Sequence, residues 1–212
     1  MNRFARAFGS QLRHPRGLTG RLLAHGMAKA NRHVIEATVR AAEIRSDSRV
    51  LDLGCGGGEA LALLSRAAPG GAVFGVDHAP LMVARARRTN PRTDVRQARF
   101  DELPYPDASF DRIVAINVAY FWDDAPRVLA ELVRVLRPGG RIAAYVTAAA
   151  HLARIGLANS GTHRMWTADQ MLRLFGETSR CVDIWAARGV GGHIIILDAD
   201  LASDEAAERP AP

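Results

Sequence analysis

The sequence predicts an α/β fold in which helices cover both faces of a doubly wound, Rossmann-like sheet. Between residues 49 and 146, short apolar segments alternate with segments of helical periodicity, which is the pattern of parallel strands joined by crossover helices. A glycine run, Gly54-Cys55-Gly56-Gly57-Gly58, follows the first apolar segment. Two apolar segments later face each other across a glycine-rich turn at 189–192, which predicts a hairpin that adds an antiparallel strand at the sheet edge.

Each predicted strand is a short apolar run bounded by glycine, proline or polar residues. The first strand ends at the glycine run, and Pro69-Gly70-Gly71 turns the chain into the second. In chain order the predicted strands are Arg49–Leu53, Ala72–Asp77, Val95–Phe100, Ile113–Val118 and Arg141–Val146, followed by the hairpin strands Val182–Ala186 and His193–Leu197.

Helical periodicity and capping residues define the helices between these strands. Pro80 suits a first helical turn, and Asp123 and Thr167 are side chains that can cap a helix start. The run Pro138-Gly139-Gly140 predicts the end of a helix. The predicted helices are Gly20–Ile44, Glu59–Ala67, Leu81–Arg88, Asp123–Leu136 and Ala168–Phe175.

Composition excludes several classes of protein. With 212 residues, 48% hydrophobic and 24% charged, the chain can bury a core, which a disordered chain cannot. No apolar run approaches the roughly 18 residues of a membrane span, and Cys55 and Cys181 are too few for a disulfide framework or a cysteine-based zinc site. We therefore expect a metal-free, cytoplasmic protein. The basic segment 1–45 suits a solvated helix face, a phosphate or peripheral contact with an anionic membrane.

The glycine run predicts a ligand site at the carboxyl end of the first strand. A dinucleotide loop has the pattern G-x-G-x-x-G, but here position 59 is Glu, and Asp52 lies two residues before the first glycine. Phosphates would meet these two carboxylates, whereas a cofactor with positive centres would not. S-adenosylmethionine carries a sulfonium and an ammonium. Asp77, at the end of the second strand, can accept hydrogen bonds from ribose hydroxyls.

The segment VLDLGCGGGEA resembles the first motif of class I S-adenosylmethionine-dependent methyltransferases. The likeness continues through GVDHAPLMVARA, QARFDELPYPDASFDRIVAINVAYFWDD and RVLRPGGRIAAY, about two-thirds of the chain. The small-molecule enzymes related to quinone-biosynthesis C-methyltransferases are the most similar. Their family implies a seven-stranded sheet with the last strand antiparallel. It also implies a helical lid at 1–46 and a cofactor-binding domain at 47–200. The acidic residues near the end of the sequence predict a disordered tail at 201–212.

The resemblance also assigns roles to individual residues. The glycines would lie under the methionine moiety, and Asp77 would hold the ribose. Arg99 stands where the family usually has Asp or Ser, and arginine cannot accept a hydrogen bond from the adenine amino group. Phe100 is therefore the expected neighbour of adenine. The cofactor-binding residues implied are Asp52, Gly54, Cys55, Gly56, Gly58, Asp77, His78, Met82, Arg99, Phe100 and Asn117.

The acceptor is expected at the end of the fourth strand. Methyl transfer from a sulfonium is an in-line displacement that needs alignment and dryness more than a catalytic group, so the catalytic residue is unknown. His163, Tyr120 and Asn117 are the weak candidates. Asn117-Val118-Ala119-Tyr120 lacks the prolines of the motif in nucleic-acid methyltransferases, so a nucleic-acid acceptor is disfavoured. The sequence leaves the oligomeric state open.

The sequence therefore favours methyl transfer from S-adenosylmethionine to a small molecule. Three alternatives stay open. An RNA-directed methyltransferase would use the basic lid, a non-catalytic domain would bind S-adenosylmethionine without turnover, and a nicotinamide oxidoreductase would share the sheet. The order of Asp52, the glycines and Glu59 counts against the last of these.

Overall fold

The computed structural model describes residues 32–154, 164–185 and 191–199, without the side chain of Trp185. The strands are β1 (Arg49–Leu53), β2 (Ala72–Asp77), β3 (Asp94–Gln97), β4 (Phe110–Ile116), β5 (Leu136–Thr147), β6 (Ser179–Trp185) and β7 (Gly191–Asp198). The helices are α1 (Arg32–Ala41), α2 (Leu61–Ala67), α3 (Pro80–Thr89), α4 (Ala125–Val135), α5 (Ala149–Arg154) and α6 (Ala168–Phe175), with one 3₁₀ turn at Ala119–Phe121.

The described strands form one seven-stranded sheet in the order β3-β2-β1-β4-β5-β7-β6. The first five strands in the chain pair in parallel, and β7 runs antiparallel to both β5 and β6. The predicted doubly wound sheet with an antiparallel last strand is confirmed. Strand order reverses between β1 and β4, so the carboxyl ends of these strands frame the crevice in which such sheets bind ligands.

Several predicted boundaries are wrong, for reasons that lie in tertiary contacts. The side chain of Asp124, and not of Asp123, caps α4 by accepting a hydrogen bond from the Arg127 amide. The run 138–140 belongs to β5, because Gly139 N–H donates to Ala199 and Ala199 N–H donates to Gly140. These hydrogen bonds hold the segment 138–140 in an extended conformation, so it continues β5 where its sequence alone predicts a turn.

Strands β3 and β4 also differ from the prediction. Strand β3 stops at Gln97, because the chain turns back through a bridge between Arg99 and Glu102. Strand β4 begins at Phe110 and ends at Ile116, two residues before the predicted end. Asn117 follows in the left-handed region, with φ 55°, so the strand cannot continue through it.

Two apolar cores lie on opposite faces of the sheet. Successive residues of β5 alternate between them: Ala144 and Val146 lie in the first core, and Ala143 and Tyr145 in the second. Helices α4 and α6 cover the first face, and α1, α2 and α3 contribute buried residues to the second.

The predicted helix Gly20–Ile44 falls partly outside the described residues. Its described part, α1, buries Val34, Ile35, Ala37 and Thr38 in the second core. The lid role of segment 1–46 and the disordered tail at 201–212 stay predictions, since residues 1–31 and 200–212 lie outside the described residues. None of the described helices has the length and apolar character that a membrane span requires.

Candidate functional site

The glycine loop after β1 adopts backbone conformations that favour glycine. Gly54 has φ 71° and Gly56 has φ 53°, both in the left-handed region. The amide of Gly54 donates to the Val76 carbonyl at 2.7 Å, which ties the loop to the end of β2. A Cβ on Gly54 would lie 2.3 Å from Cγ2 of Val118, so the loop also packs directly against the segment after β4.

Asp77 holds this loop from the neighbouring strand. One carboxylate oxygen accepts a hydrogen bond from the Gly56 amide at 2.9 Å, and the other accepts from the Ala79 amide at 2.8 Å. Burial raises the pKa of Asp77, although these amides and His78 oppose the rise. Each carboxylate oxygen can accept a second hydrogen bond, so Asp77 can bind a ligand hydroxyl without releasing the loop.

Asp52 is a buried carboxylate, and one of its oxygens lacks a hydrogen bond within the described part of the chain. Its side chain is on β1, it is 2% exposed, and its Oδ2 atom has no hydrogen bond among the described residues. Burial, followed by the negative charges of Glu59 and Asp77, raises the pKa of Asp52 to about 8. An unpaired buried carboxylate is costly, so this position suits a ligand that brings a positive charge or a hydrogen-bond donor.

Glu59 does not act as the sequence argument assumed. Its carboxylate pairs with Arg85 of α3 at 2.9 Å, and α2 begins only at Leu61. Arg85 therefore offsets much of the repulsion that Glu59 would exert on a phosphate. Asp52, for which the structure describes no cation, carries the electrostatic argument instead.

Gly58 and the Cys55 thiol pack against other parts of the protein. A Cβ on Gly58 would lie 2.4 Å from Nδ2 of Asn90, whose amide donates to the Gly58 carbonyl at 3.1 Å. The Cys55 thiol packs in the second core, against the Gly75 backbone, and burial raises its pKa. Cys55 can therefore meet a ligand through its backbone but not through its thiol.

A cavity of about 230 Å³ lies between the segments that follow β2 and β3 and the segment from the 3₁₀ turn into α4, where Trp122 and Val128 line it. His78 and Phe100 line it, with ring centroids 5.6 Å apart in an edge-to-face arrangement. Arg99 also lines it, but its side chain is 72% exposed and makes two hydrogen bonds to Asp101, at 2.9 and 2.7 Å. Met82 is buried in α3, four residues after His78 in the sequence. The two rings contact each other and offer aromatic surface to a planar heterocycle in the cavity.

Three residues form a polar network at the ends of β4 and β5, in which Tyr120 and Thr147 are buried and Asn117 is partly exposed. Asn117 Oδ1 accepts hydrogen bonds from the Tyr120 hydroxyl and from the Thr147 hydroxyl, each at 3.0 Å. The Tyr120 hydroxyl also accepts from the Thr147 amide. Burial raises the pKa of Tyr120, so its hydroxyl keeps its proton at neutral pH and is suited to positioning. His163, the remaining catalytic candidate, lies outside the described residues.

Comparison with known proteins agrees with this geometry. Residues 51–144 match the family model described as a methyltransferase domain. A protein named as a probable S-adenosylmethionine-dependent methyltransferase of Mycolicibacterium smegmatis is 38% identical over 128 residues, which are 58% of this chain and 48% of that protein. The demethylmenaquinone methyltransferase of Thermus thermophilus is 39% identical over 103 residues, which are 46% of each chain.

Residues 51–144 are therefore similar in sequence to the methyltransferase domain of S-adenosylmethionine-dependent methyltransferases. A solved structure supports the fold. One chain of the complex between the Haloferax volcanii Trm112 methyltransferase activator and a methyltransferase superposes with a TM-score of 0.72 at 21% identity, covering 84% of this chain and 92% of that one. The chain spans about half the length of the curated relatives that it matches.

The residues of this methyltransferase fold fit S-adenosylmethionine. Asp52 and the glycine loop would hold the cationic methionine end, and Asp77 would hold the ribose hydroxyls. His78 and Phe100 would enclose the adenine. The fit rests on the buried carboxylate of Asp52, whose Oδ2 atom has no hydrogen bond among the described residues, and on the close approach of the loop backbone at Gly54 to Val118.

Sequence reasoning missed residues that are far from the site in sequence but hold its backbone and side chains by hydrogen bonds. Asn90 and Thr89 bind the carbonyls of Gly58 and Gly57, 32 residues away in each case. Thr147 completes the network at Asn117 and Tyr120. A helix end at Asn90 and a strand end at Thr147 could have suggested turn or capping roles, but no local pattern indicates these partners.

Proposed function

We propose that this chain is an enzyme that transfers a methyl group from S-adenosylmethionine to a small-molecule acceptor. The observation that carries the proposal is the buried carboxylate of Asp52, 2% exposed, whose Oδ2 atom has no hydrogen bond among the described residues, beside a glycine loop that Asp77 ties down at Gly56. A cofactor with cationic centres and a ribose would satisfy both carboxylates at once. Burial raises the pKa of Asp52 to about 8, and a cationic centre would favour its charged form, whereas the phosphates of a dinucleotide would oppose it.

The protein's part in the reaction is to bind, orient and keep water out. When bound, S-adenosylmethionine supplies a methyl group already activated by a sulfonium, so alignment of the acceptor supplies most of the catalysis. Asn117, held by Tyr120 and Thr147, lies at the strand end next to the loop and presents a fixed polar edge there. Tyr120 and Trp122, both buried, make the surroundings apolar and aromatic.

A hydrophobic, phenolic or quinone-like small molecule suits these surroundings best. The Thermus thermophilus relative is named for a demethylmenaquinone substrate, which supports the same class without fixing the acceptor. Segment 1–46 is proposed to close over cofactor and acceptor as a lid. The described residues offer no observation that favours an RNA acceptor over a small molecule.

The proposal is tested with S-adenosylmethionine that carries a tritiated methyl group. The purified full chain is incubated with it and, separately, with a panel of phenols and quinols or with total RNA. We expect label in the organic extract of at least one phenol or quinol reaction and none in RNA. Label only in RNA would refute the small-molecule acceptor. Binding of S-adenosylmethionine without transfer to any acceptor or to RNA would favour the non-catalytic alternative.

A further inference from the structure

The hairpin of β6 and β7 carries a cluster of potential metal ligands away from the cofactor loop. Cys181, Asp183 and His193 each offer one ligand atom, and these atoms all lie within 4.8 Å of one another. The strand register explains the cluster. Asp183 pairs directly with His193 across the two strands, and Cys181 lies two residues before Asp183, on the same face of β6.

The distances within the cluster are close to those around a zinc ion. The Cys181 thiol lies 3.6 Å from Oδ1 of Asp183, and Nδ1 of His193 lies 2.6 Å from the same oxygen. With zinc–ligand bonds of about 2.0–2.3 Å in a tetrahedron, two ligand atoms are separated by about 3.3–3.6 Å. The sulfur–oxygen pair already has this spacing, and the nitrogen–oxygen pair would open by less than about 1 Å as the ion replaces the shared proton.

The ligand types and their exposure also suit zinc. Thiolate and imidazole are ligands that zinc prefers, and one carboxylate completes a three-ligand set that leaves a fourth position for water. The Asp183 side chain is 57% exposed, which gives an ion access from solvent, and the His193 side chain is 17% exposed, which limits its movement. Asp169 of α6 adds negative potential at Cys181. It lies at the end of α6 that is close to the cluster.

We propose that Cys181, Asp183 and His193 bind one Zn²⁺ ion. The site would join β6 to β7 at the side of the sheet where the acceptor is expected, since His193 pairs with Val146 of β5, next to Thr147 of the polar network. The sequence had predicted no metal, on the grounds of cysteine number alone. A set of ligands that combines a thiol, a carboxylate and an imidazole on adjacent strands can be recognised only once the pairing register of β6 and β7 is known.

Cobalt provides the direct test, because Co²⁺ replaces Zn²⁺ and a thiolate ligand gives it an intense near-ultraviolet charge-transfer band. The full chain is stripped with a chelator and titrated with Co²⁺ alone. We expect the band to saturate at one equivalent and to disappear on addition of Zn²⁺. Cys181→Ser removes the band, while the matched thiol control Cys55→Ser keeps it. His193→Gln weakens binding by more than about 100-fold, because losing a direct ligand costs more than losing an outer partner.

The alkylation rate of Cys181 provides a second test that needs no variant, so misfolding of a variant cannot affect it. In the unaltered chain, one equivalent of Zn²⁺ should slow alkylation of Cys181 by a maleimide by at least about tenfold, because the metal holds the sulfur as a ligand. The proposal is refuted if Co²⁺ gives no sulfur band in the unaltered chain, or if the band survives Cys181→Ser. It is also refuted if Zn²⁺ leaves the alkylation rate unchanged. The cluster is then a cross-strand hydrogen-bonded pair with a neighbouring thiol.

Discussion

Replacing Tyr120 by Phe tests the polar network that shapes the acceptor side of the site. The Tyr120 hydroxyl donates to Asn117 at 3.0 Å and accepts from the Thr147 amide. Strand β4 has already ended at Ile116, so no strand residue replaces this acceptor for Thr147. Tyr120→Phe therefore leaves a buried amide without a partner.

The expected loss follows from that unpaired amide. Leaving one buried donor unsatisfied costs about 1–3 kcal/mol, and about 2 kcal/mol lowers the melting temperature of a chain of this size by about 4–8 °C. Tyr105 supplies a matched control, because its hydroxyl is also buried but has no hydrogen-bond partner among the described residues. Tyr105→Phe is expected to be neutral or slightly stabilising, since it removes a buried polar group that is not satisfied.

Urea denaturation and thermal melting of the two variants decide the question. We expect Tyr120→Phe to unfold at lower urea concentration with an unchanged slope, and Tyr105→Phe to follow the unaltered chain. Equal losses in both variants would mean that the cost comes from general packing. A Tyr120→Phe variant as stable as the unaltered chain would refute the network.

Three further predictions concern the cofactor loop. Because burial raises the pKa of Asp52 from its ordinary 3.8 to about 8, folding favours the protonated acid, and stability falls as pH rises from 4 towards 8. Asp52→Asn should abolish that fall, up to about 2 kcal/mol between pH 6 and 8, in urea titrations. Gly54→Ala should destabilise more than Gly56→Ala in melting experiments. Both incur about 1–2 kcal/mol for positive φ, but only the first meets Val118, at 2.3 Å. Finally, binding of S-adenosylmethionine at pH 7 should release up to one proton from Asp52. The calorimetric heat of binding should then depend on the ionisation heat of the buffer that takes up this proton.

Much of the fold and the centre of the site could be predicted because they follow local patterns. Alternating apolar segments indicate the parallel sheet, and the spacing of Asp52, the glycines and Asp77 places both carboxylates at neighbouring strand ends. Strand boundaries were less predictable. The Pro138-Gly139-Gly140 run becomes strand only because Ala199, far along the chain, pairs with it.

The supporting contacts could not be predicted, because they join residues that are distant in sequence. Arg85 reaches Glu59 across 26 residues, which changes the electrostatics that the loop sequence suggests. Tyr120 and Thr147 lie 27 residues apart, and neither belongs to a motif that indicates the other. Such pairs depend on how α3 packs beside the loop and on where β4 stops.

The central claim is that Asp52 and Asp77 hold S-adenosylmethionine at the glycine loop. Calorimetric titration with S-adenosylmethionine tests it directly on the unaltered chain, Asp52→Asn, Asp77→Asn and the control Asp94→Asn. Asp94 begins the neighbouring strand β3 and pairs with Arg96 at the surface. We predict that the unaltered chain and the control bind alike and that the other two bind at least about tenfold more weakly, a loss of about 1.4 kcal/mol. Equal affinity in all four proteins, or binding of NADH in preference to S-adenosylmethionine, would contradict the account.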